Sequence, residues 1–262
     1  KLIFAIFQHG SSRARDPQLH SHCLLLNLCV SEDDTTGSIV TKEIFRLKMI
    51  AGLVYRQALG HSLRHHLGFG LRQVNRWFEV EGVPTPLIET FSKRRQEVLA
   101  YLEKMERSDA VAAAAAAKAT RKGKELVPRK ELFEEWAQFA RDEHGFTRET
   151  AESLRSRPHP SKSPVGLAAA IDTLLEQQSY FSDRDFLRRV LELNQATGHS
   201  VDRILRAVRL ALRNLVDLGN HDGRHLYTTK DVIRAERILL EEAMEGAASR
   251  DHLVSEDRKS TR

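Results

Sequence analysis

The sequence predicts an α+β fold: an N-terminal antiparallel sheet with helices, followed by helical segments and a small winged-helix-like domain. Two apolar runs, residues 2–7 and 19–30, flank a polar loop closed by Pro17, which is the pattern of two adjacent antiparallel strands. From Lys42 onward, apolar residues recur near the helical period of about 3.6. A Pro-, Ser- and Lys-rich stretch at 155–164 then precedes three short amphipathic segments, so we expect it to be a linker.

Local patterns predict the elements of the first part of the chain. They are a helix at 42–67, a strand at 77–80, and helices at 86–106, 110–119 and 131–142. Gly68 and Gly70 end the first helix, and Thr85 with Pro86 marks the start of the second. Residues 110–119 are rich in alanine, the strongest intrinsic helix former.

The second part of the chain is predicted as three helices, a strand and a final helix. Their ranges are 165–178, 183–195, 201–216, 225–228 and 230–244. Ser182 and Asp185 are spaced close to a capping box, and Thr229 can cap the last helix. Three helices followed by a turn and a strand resemble a winged helix-turn-helix module. Such a module could bind duplex DNA or act as a spacer, and the spacer is the favoured interpretation.

Composition narrows the classes of function. The chain has 262 residues, 41% of them apolar, which is enough for one large or two modest domains. Its net charge of +5 is consistent with a polyanionic partner. No apolar stretch approaches the ~20 residues of a membrane span, so we expect no membrane insertion. No phosphate-binding G-x4-G-K-[ST] loop occurs, so we expect no ATP binding.

Three histidines near the N-terminus form a candidate metal site. His20 and His22 alternate on the second predicted strand, so both side chains share one face. Pairing of the two strands would bring His9, at the end of the first strand, beside them. Three imidazoles suit a divalent ion and leave positions open for a phosphate oxygen. Spacing alone also fits histidines with a purely structural role.

The residues around these histidines resemble a family signature. The segment from His9 to His22, followed by Asn27, is similar to the pattern H-x-x-S-R-x-x-D-P-x-L-H-[TS]-H-x4-N of conjugative relaxases of the MobF (TrwC/TraI-like) family. Further similar stretches lie at 51–59, 82–84, 91–95 and 120–125. The resemblance implies that residues 1–155 are the C-terminal half of a relaxase domain, with part of an HUH-type palm.

The resemblance extends beyond that domain. Residues 163–245 look like the region that joins relaxase to helicase in long family members. The predicted domain bounds are therefore 1–155 for the relaxase part, 156–163 for a linker, 164–245 for the winged-helix-like module and 246–262 for a polar tail.

The resemblance also implies a chemistry. Family members cleave one DNA strand at a plasmid transfer origin by attack of a tyrosine hydroxyl on the scissile phosphate, which leaves a 5′-phosphotyrosyl link. It implies that His9, His20 and His22 hold a divalent ion (Mg, Mn or Zn) that neutralises charge on that phosphate. The family's nucleophilic tyrosines lie close to the domain's N-terminus, which we place upstream of residue 1. No catalytic residue is therefore identified in this chain.

Two further hypotheses stand beside a relaxase endonuclease. The chain could be a non-catalytic DNA-binding remnant that keeps the three-histidine site, or a plain metal-binding structural protein. In each DNA-binding case we expect this chain to bind metal and DNA without nicking.

Basic residues are the candidate DNA contacts. Arg13 belongs to the signature, and Arg15 lies in the same loop. Resemblance to the family's basic C-terminal helices adds Arg94, Arg95, Arg121, Lys122 and Lys124. Phosphate neutralisation would make binding salt-dependent, although each charge also fits a solvated surface. The expected partners are single-stranded DNA at a transfer origin and other relaxosome proteins, in the cytoplasm.

Overall fold

The computed structural model describes residues 2–120, 123, 127–156 and 166–248. Helices and antiparallel sheets alternate along the chain, so the predicted α+β class is confirmed. The chain divides into two compact units. The first comprises residues 1–48, 63–74 and 78–160, and the second comprises 49–62, 75–77 and 161–262.

A long hairpin dominates the first unit. Strands β1 (Leu2–Ser11) and β2 (Pro17–Val30) pair antiparallel, and β3 (Thr36–Gly37) adds to the far edge of β2. The predicted strand pair is confirmed, but both strands extend further toward the loop than the apolar runs. Backbone pairing does not require apolar side chains, so it continues through the polar residues next to the turn.

The hairpin exposes apolar side chains on both faces. Phe4, Ile6, Phe7 and Leu24 are 52–67% exposed. Successive residues of a strand point to opposite faces, so the exposure of both Ile6 and Phe7 means that neither face is covered by described residues here. The outer edge of β1 has no strand partner within the described ranges.

Six α-helices and a second small sheet follow in the part of the chain that the structure describes. They are α1 (Thr41–His65), β4 (Leu71–Val74), β5 (Trp77–Val80), α2 (Thr85–Thr90), α3 (Lys93–Lys104), α4 (Ala110–Ala119), α5 (Arg129–His144) and α6 (Arg148–Ser153). The helix predicted at 86–106 is wrong, because two helices, α2 and α3, occupy that range. The hydroxyls of Thr90 and Ser92 donate to the carbonyls of Pro86 and Ile88, which favours a helix end at this point.

Within its described residues, the second unit contains four further helices and a three-stranded sheet. The elements are α7 (Leu167–Leu175), β6 (Phe181–Ser182), α8 (Asp183–Leu193), α9 (Val201–Leu212), β7 (Val216–His221), β8 (Arg224–Thr228) and α10 (Lys230–Ala248). The strand order is β6-β8-β7. The capping box of Ser182 and Asp185 is confirmed. Strands β6 and β7 were not predicted, because each is defined by pairing with β8 rather than by a local pattern.

Buried aromatic and aliphatic residues form the core of the second unit. Phe181, Phe186 and Leu191 are at most 1% exposed, and Leu53 of α1 packs in the same cluster. The side-chain amide of Gln57, also on α1, donates to the carbonyl of His199 at 2.8 Å. Residues 49–62 therefore pack in this unit, whereas the sequence-derived bounds assign them to 1–155.

Several predictions fall outside the described residues. They include most of the linker at 156–163 and the tail beyond Ala248. None of the described helices is both long and apolar enough to cross a membrane.

Candidate metal centre and nucleic-acid cleft

Three histidines converge on one face of the β1–β2 hairpin. His9 lies directly opposite His20 in the antiparallel register, and His22 follows two residues later on the same face. One ring nitrogen from each histidine lies within 4.8 Å of the others. The ring centroids are 4.6, 5.0 and 5.3 Å apart. The structure thus brings together the three ligands predicted from the sequence.

The donor set fits a divalent ion. Nδ1 of His20 lies 2.9 Å from the carbonyl oxygen of Gln18. Because a carbonyl can only accept, Nδ1 carries the proton, and Nε2 is the nitrogen that would be available to a metal ion. Tetrahedral binding at about 2.0–2.1 Å per nitrogen needs nitrogens about 3.4 Å apart, which small side-chain rotations would supply. His22 is exposed, while His9 and His20 are half-buried, so an ion held by these three histidines would be accessible to solvent or a ligand.

The loop between the strands, Ser12–Asp16, is held by its own polar groups; we call it the metal loop. The hydroxyl oxygen of Ser12 accepts the N–H groups of Ala14 and Asp16 and donates to Oδ2 of Asp16, each at 3.1 Å. Arg15 has φ 61°, the left-handed conformation that closes the tight turn. These bonds fix the strand ends beside the histidines.

Asp16 joins the metal loop to helix α3. Its side chain is 3% exposed, and Oδ2 accepts the backbone N–H of Arg94 at 3.2 Å. The first turn of a helix offers free N–H groups and a positive dipole end, both of which stabilise a carboxylate. Oδ1 is buried without a hydrogen-bond partner among the described residues. The carboxylate therefore positions the loop rather than facing solvent.

Helix α5 contacts the other side of the metal loop. The indole N–H of Trp136 donates to the backbone carbonyl of Arg15 at 2.8 Å. The guanidinium of Arg15 bonds both carboxylate oxygens of Glu135, at 2.6 and 2.7 Å. This ion pair is substantially exposed. A DNA phosphate could bind the guanidinium of Arg15 only by displacing the carboxylate of Glu135. The DNA contact predicted for Arg15 remains a prediction.

A cleft of about 1050 Å³ opens beside the three histidines. Its lining includes residues of the metal loop, Gly123 and Val127, and Arg129, Leu132 and Trp136 of α5. Arg129 and Trp136 were not predicted as site residues from the sequence. Their spacing of i, i+3 and i+7 around Leu132 places all three on one helical face, which is the signal that could have indicated them.

The guanidinium of Arg94 is bonded to other residues of the protein. It donates to the carbonyls of Thr120 and Ala117 at 2.9 and 2.6 Å and pairs with Glu97 at 3.0 Å. These contacts tie α3 to the C-terminal end of α4, whose carbonyls favour a cation. A DNA contact would require this side chain to leave several acceptors.

The other predicted DNA contacts are placed differently. Arg13 is exposed and lines the cleft. Arg95 is exposed on α3 and is absent from the described lining. Arg121, Lys122 and Lys124 lie outside the described residues. Gly123, which falls among them in the sequence, does line the cleft.

The chain is similar to known conjugation proteins. The TrwC relaxase family matches residues 1–143. The multifunctional conjugation protein TraI of Escherichia coli is 25% identical over 247 residues, and TraI of strain K12 is 26% identical. Each alignment covers 85% of this chain but 14% of the relative, so the chain spans a small part of their length.

Solved structures of a conjugative relaxase, TrwC, are also similar. A metal-free complex with origin-of-transfer DNA is 30% identical, with a TM-score of 0.50, over 54% of this chain and 51% of that one. A metal-bound complex with the same type of DNA has the same identity and TM-score and is covered over 50% of its length. A third complex contains a 27-mer DNA with the recognition hairpin and the cleavage site.

Proposed function

The chain belongs to the TrwC relaxase family, and from that premise we propose that it carries the metal-binding part of a single-strand DNA endonuclease and transesterase site. The observation behind this proposal is the convergence of His9, His20 and His22 beside a cleft large enough for a nucleotide. A similar relaxase, TrwC, has been solved in complex with DNA, with and without metal. The proposed substrate is a single strand at a plasmid transfer origin, with other relaxosome proteins as further partners.

The residues of this chain have distinct proposed roles. A divalent ion (Mg, Mn or Zn) held by the three histidines would neutralise charge on the scissile phosphate. The carbonyl of Gln18 keeps His20 in the ligating tautomer. Arg13, exposed in the cleft, contacts a phosphate oxygen, and the ring of Trp136 offers a surface on which a base can stack.

The nucleophile is proposed to be a tyrosine other than those in this sequence. No tyrosine is among the described residues that line the cleft. Tyr55 and Tyr180 are 59% and 49% exposed, and Tyr101 and Tyr227 pack against the two hydrophobic clusters. We therefore expect this chain to bind metal and DNA without nicking. The same observation favours the second candidate, a non-catalytic DNA-binding protein that retains the metal site.

We also propose two features of the fold. The β1–β2 hairpin is part of an HUH-type palm, consistent with two ligating histidines that alternate on one strand. Residues 164–245 form a winged-helix-like module. The order helix, strand, helix, helix and hairpin, with β8 between β6 and β7, supports this assignment.

Metal-dependent binding of single-stranded DNA tests the proposed function. Fluorescence anisotropy of a labelled oligonucleotide is measured with Mn²⁺ and with EDTA, and bound metal is measured by mass spectrometry. We expect His22→Ala to lose bound metal and to weaken metal-dependent DNA affinity by about tenfold or more. The matched control is His66→Ala, an exposed histidine outside the described lining of the cleft. Unchanged metal content and affinity in His22→Ala would contradict the metal centre.

A covalent-adduct assay separates the two candidates. Incubation with single-stranded DNA and Mn²⁺, followed by denaturing electrophoresis, detects a phosphotyrosyl link. The proposal expects no adduct from this chain alone. An adduct that disappears in Tyr55→Phe, Tyr101→Phe, Tyr180→Phe or Tyr227→Phe would show that the nucleophile assignment is wrong.

A further inference from the structure

Helix α9 has a buried side and an arginine-rich side. Ile204 and Val208 are 3% and 4% exposed and belong to the core of the second unit. Four arginines of the same segment are exposed, namely Arg203, Arg206, Arg209 and Arg213. At about 100° per residue, these four fall on the arc opposite the two buried residues. We call this surface the arginine face.

The charges of the arginine face are not neutralised within the protein. None of its four guanidinium groups has an ion pair or hydrogen bond with another residue of the described ranges. On the preceding helix α8, by contrast, Arg188 and Arg189 both pair with Glu192, at 3.1 and 3.5 Å.

The acidic residue of α9, Asp202, offsets only one of these four charges, since it is exposed and lies on the same arc. Asp202 lies in the first turn of the helix, where a carboxylate stabilises the N-terminal end. A row of unpaired guanidinium groups on a rigid helix fits a ligand with regularly spaced negative charges.

We propose that the arginine face is a binding site for duplex DNA, with α9 entering the major groove. Arg203 to Arg213 span about 15 Å along the helix axis, and the major groove, about 12 Å wide, admits one α-helix. Guanidinium groups bind phosphates and guanine edges in bidentate geometry. Helices α8 and α9 are consecutive and packed together, and in helix-turn-helix modules the second helix of such a pair enters the groove.

The composition of the face favours duplex over single-stranded DNA. Single strands are bound largely by aromatic side chains on which bases stack, and α9 contains no aromatic residue. Phe181 and Phe186 of this unit are buried, and its exposed tyrosines, Tyr55 and Tyr180, lie outside α9. Leu210, 63% exposed between Arg206 and Arg213 on the same arc, offers an apolar contact of the kind made with thymine methyl groups.

The neighbouring hairpin supplies a further basic residue. Arg224 begins β8 directly after the tight turn at Asp222 and Gly223, both of which have positive φ. It is exposed, and within the described ranges it has no ion pair. We assign it an additional phosphate contact. This site lies entirely in the second unit and does not depend on the metal centre.

Duplex binding by the full chain tests the inference. The probe is a fluorescein-labelled duplex of about 20 base pairs, which is about two turns of the DNA helix. Its anisotropy is measured in EDTA so that the metal centre is not involved. We expect the double variant Arg206→Glu/Arg213→Glu to bind at least about tenfold more weakly. Because two phosphate contacts are lost, the slope of log K against log salt should fall by about two units.

A control with the same change of charge accompanies this variant. Arg234→Glu/Arg237→Glu alters two exposed arginines of α10 in the same unit, and we expect duplex affinity to stay within about twofold. Equal losses in both double variants, or no loss in either, would overturn the proposal. So would competition by an unlabelled single strand that equals competition by the unlabelled duplex.

Folding is checked by circular dichroism. The altered side chains are exposed, so we expect an unchanged melting temperature in both double variants. If the melting temperature of Arg206→Glu/Arg213→Glu is lower than that of the wild type, the single variant Arg206→Gln, which adds no negative charge, is used instead. Duplex affinity of a folded Arg206→Gln that matches the wild type would then refute the arginine face as the binding site.

Discussion

The indole nitrogen of Trp136 donates a hydrogen bond to the backbone carbonyl of Arg15 across 2.8 Å, and the two residues are 121 positions apart in the chain. Arg15 is the left-handed residue of the metal loop. Its carbonyl and its guanidinium are both held by α5, through Trp136 and Glu135. The conformation of the loop beside the histidines therefore depends on a helix distant in sequence.

Trp136→Phe is expected to weaken metal binding without altering any ligand. Phenylalanine keeps most of the packing but cannot donate to the carbonyl of Arg15, so one hydrogen bond worth about 1 kcal/mol is lost. We expect the affinity for Mn²⁺ or Zn²⁺, measured by calorimetry, to fall by about five- to tenfold. The control is Phe133→Leu, which removes the ring packed against Trp136 but leaves the hydrogen bond from Trp136 to Arg15 in place. Equal losses in both variants would show that packing alone holds the loop.

Asp16→Ala is expected to destabilise the protein. Ser12 and the backbone of Arg94 both donate to this buried carboxylate, and its removal leaves those donors unsatisfied at a cost of about 2 kcal/mol. This corresponds to a melting temperature lower by about 4–8 °C in thermal unfolding. The control Asp142→Ala removes a half-exposed carboxylate and should change the melting temperature by about 1 °C or less. A wild-type melting temperature in Asp16→Ala would refute this structural role.

Tyr227 is expected to make the second unit sensitive to alkaline pH. Burial, and then the charges of Asp217 and Asp183, raise the pKa of the Tyr227 phenol above its ordinary value. A pKa higher in the folded than in the unfolded state contributes stability that is complete below the unfolded value, near 10, and is lost as pH rises through the folded value. Melting temperatures between about pH 9 and 11 should therefore fall more steeply in the wild type than in Tyr227→Phe. The control Tyr180→Phe, at a half-exposed tyrosine, should retain the wild-type dependence.

The uncovered hairpin is expected to promote self-association. β1 combines an unpaired edge, among the described strands, with apolar side chains on both faces, which is the arrangement that favours edge-to-edge pairing. Ile6→Lys should reduce dye binding to apolar surface and concentration-dependent light scattering. Leu240→Lys on α10 is the matched control, since the two residues are 67% and 64% exposed. Its effect should be smaller because a helix satisfies its own backbone hydrogen bonds; an equal effect would rule out the sheet edge as the cause.

Much of the fold follows from local patterns. The hairpin, α1, α4 and α5, and the capping box of α8 depend on periodicity and on capping residues within a few positions, so they could be predicted from the sequence. The break between α2 and α3 and the strands β6 and β7 could not. Hydroxyl groups that bond backbone carbonyls, and strands of two to six residues, leave only a weak signal in local apolar spacing.

The sequence by itself determined the three histidines as a group. Period-2 alternation places His20 and His22 on one face, and a short loop that ends in Pro17 returns the chain beside His9. The signature in that loop indicated the family, which the match over residues 1–143 confirmed.

Only the tertiary structure decided what surrounds those histidines. It placed Trp136 and Arg129 in the cleft, turned Arg94 toward the end of α4, and left the arginine face of α9 unpaired. The physical reason is that local backbone geometry orients His20 and His22, whereas the contacts of Trp136 and Arg94 depend on how separate helices pack. Such packing joins residues tens to more than a hundred positions apart, beyond the range of any periodic pattern.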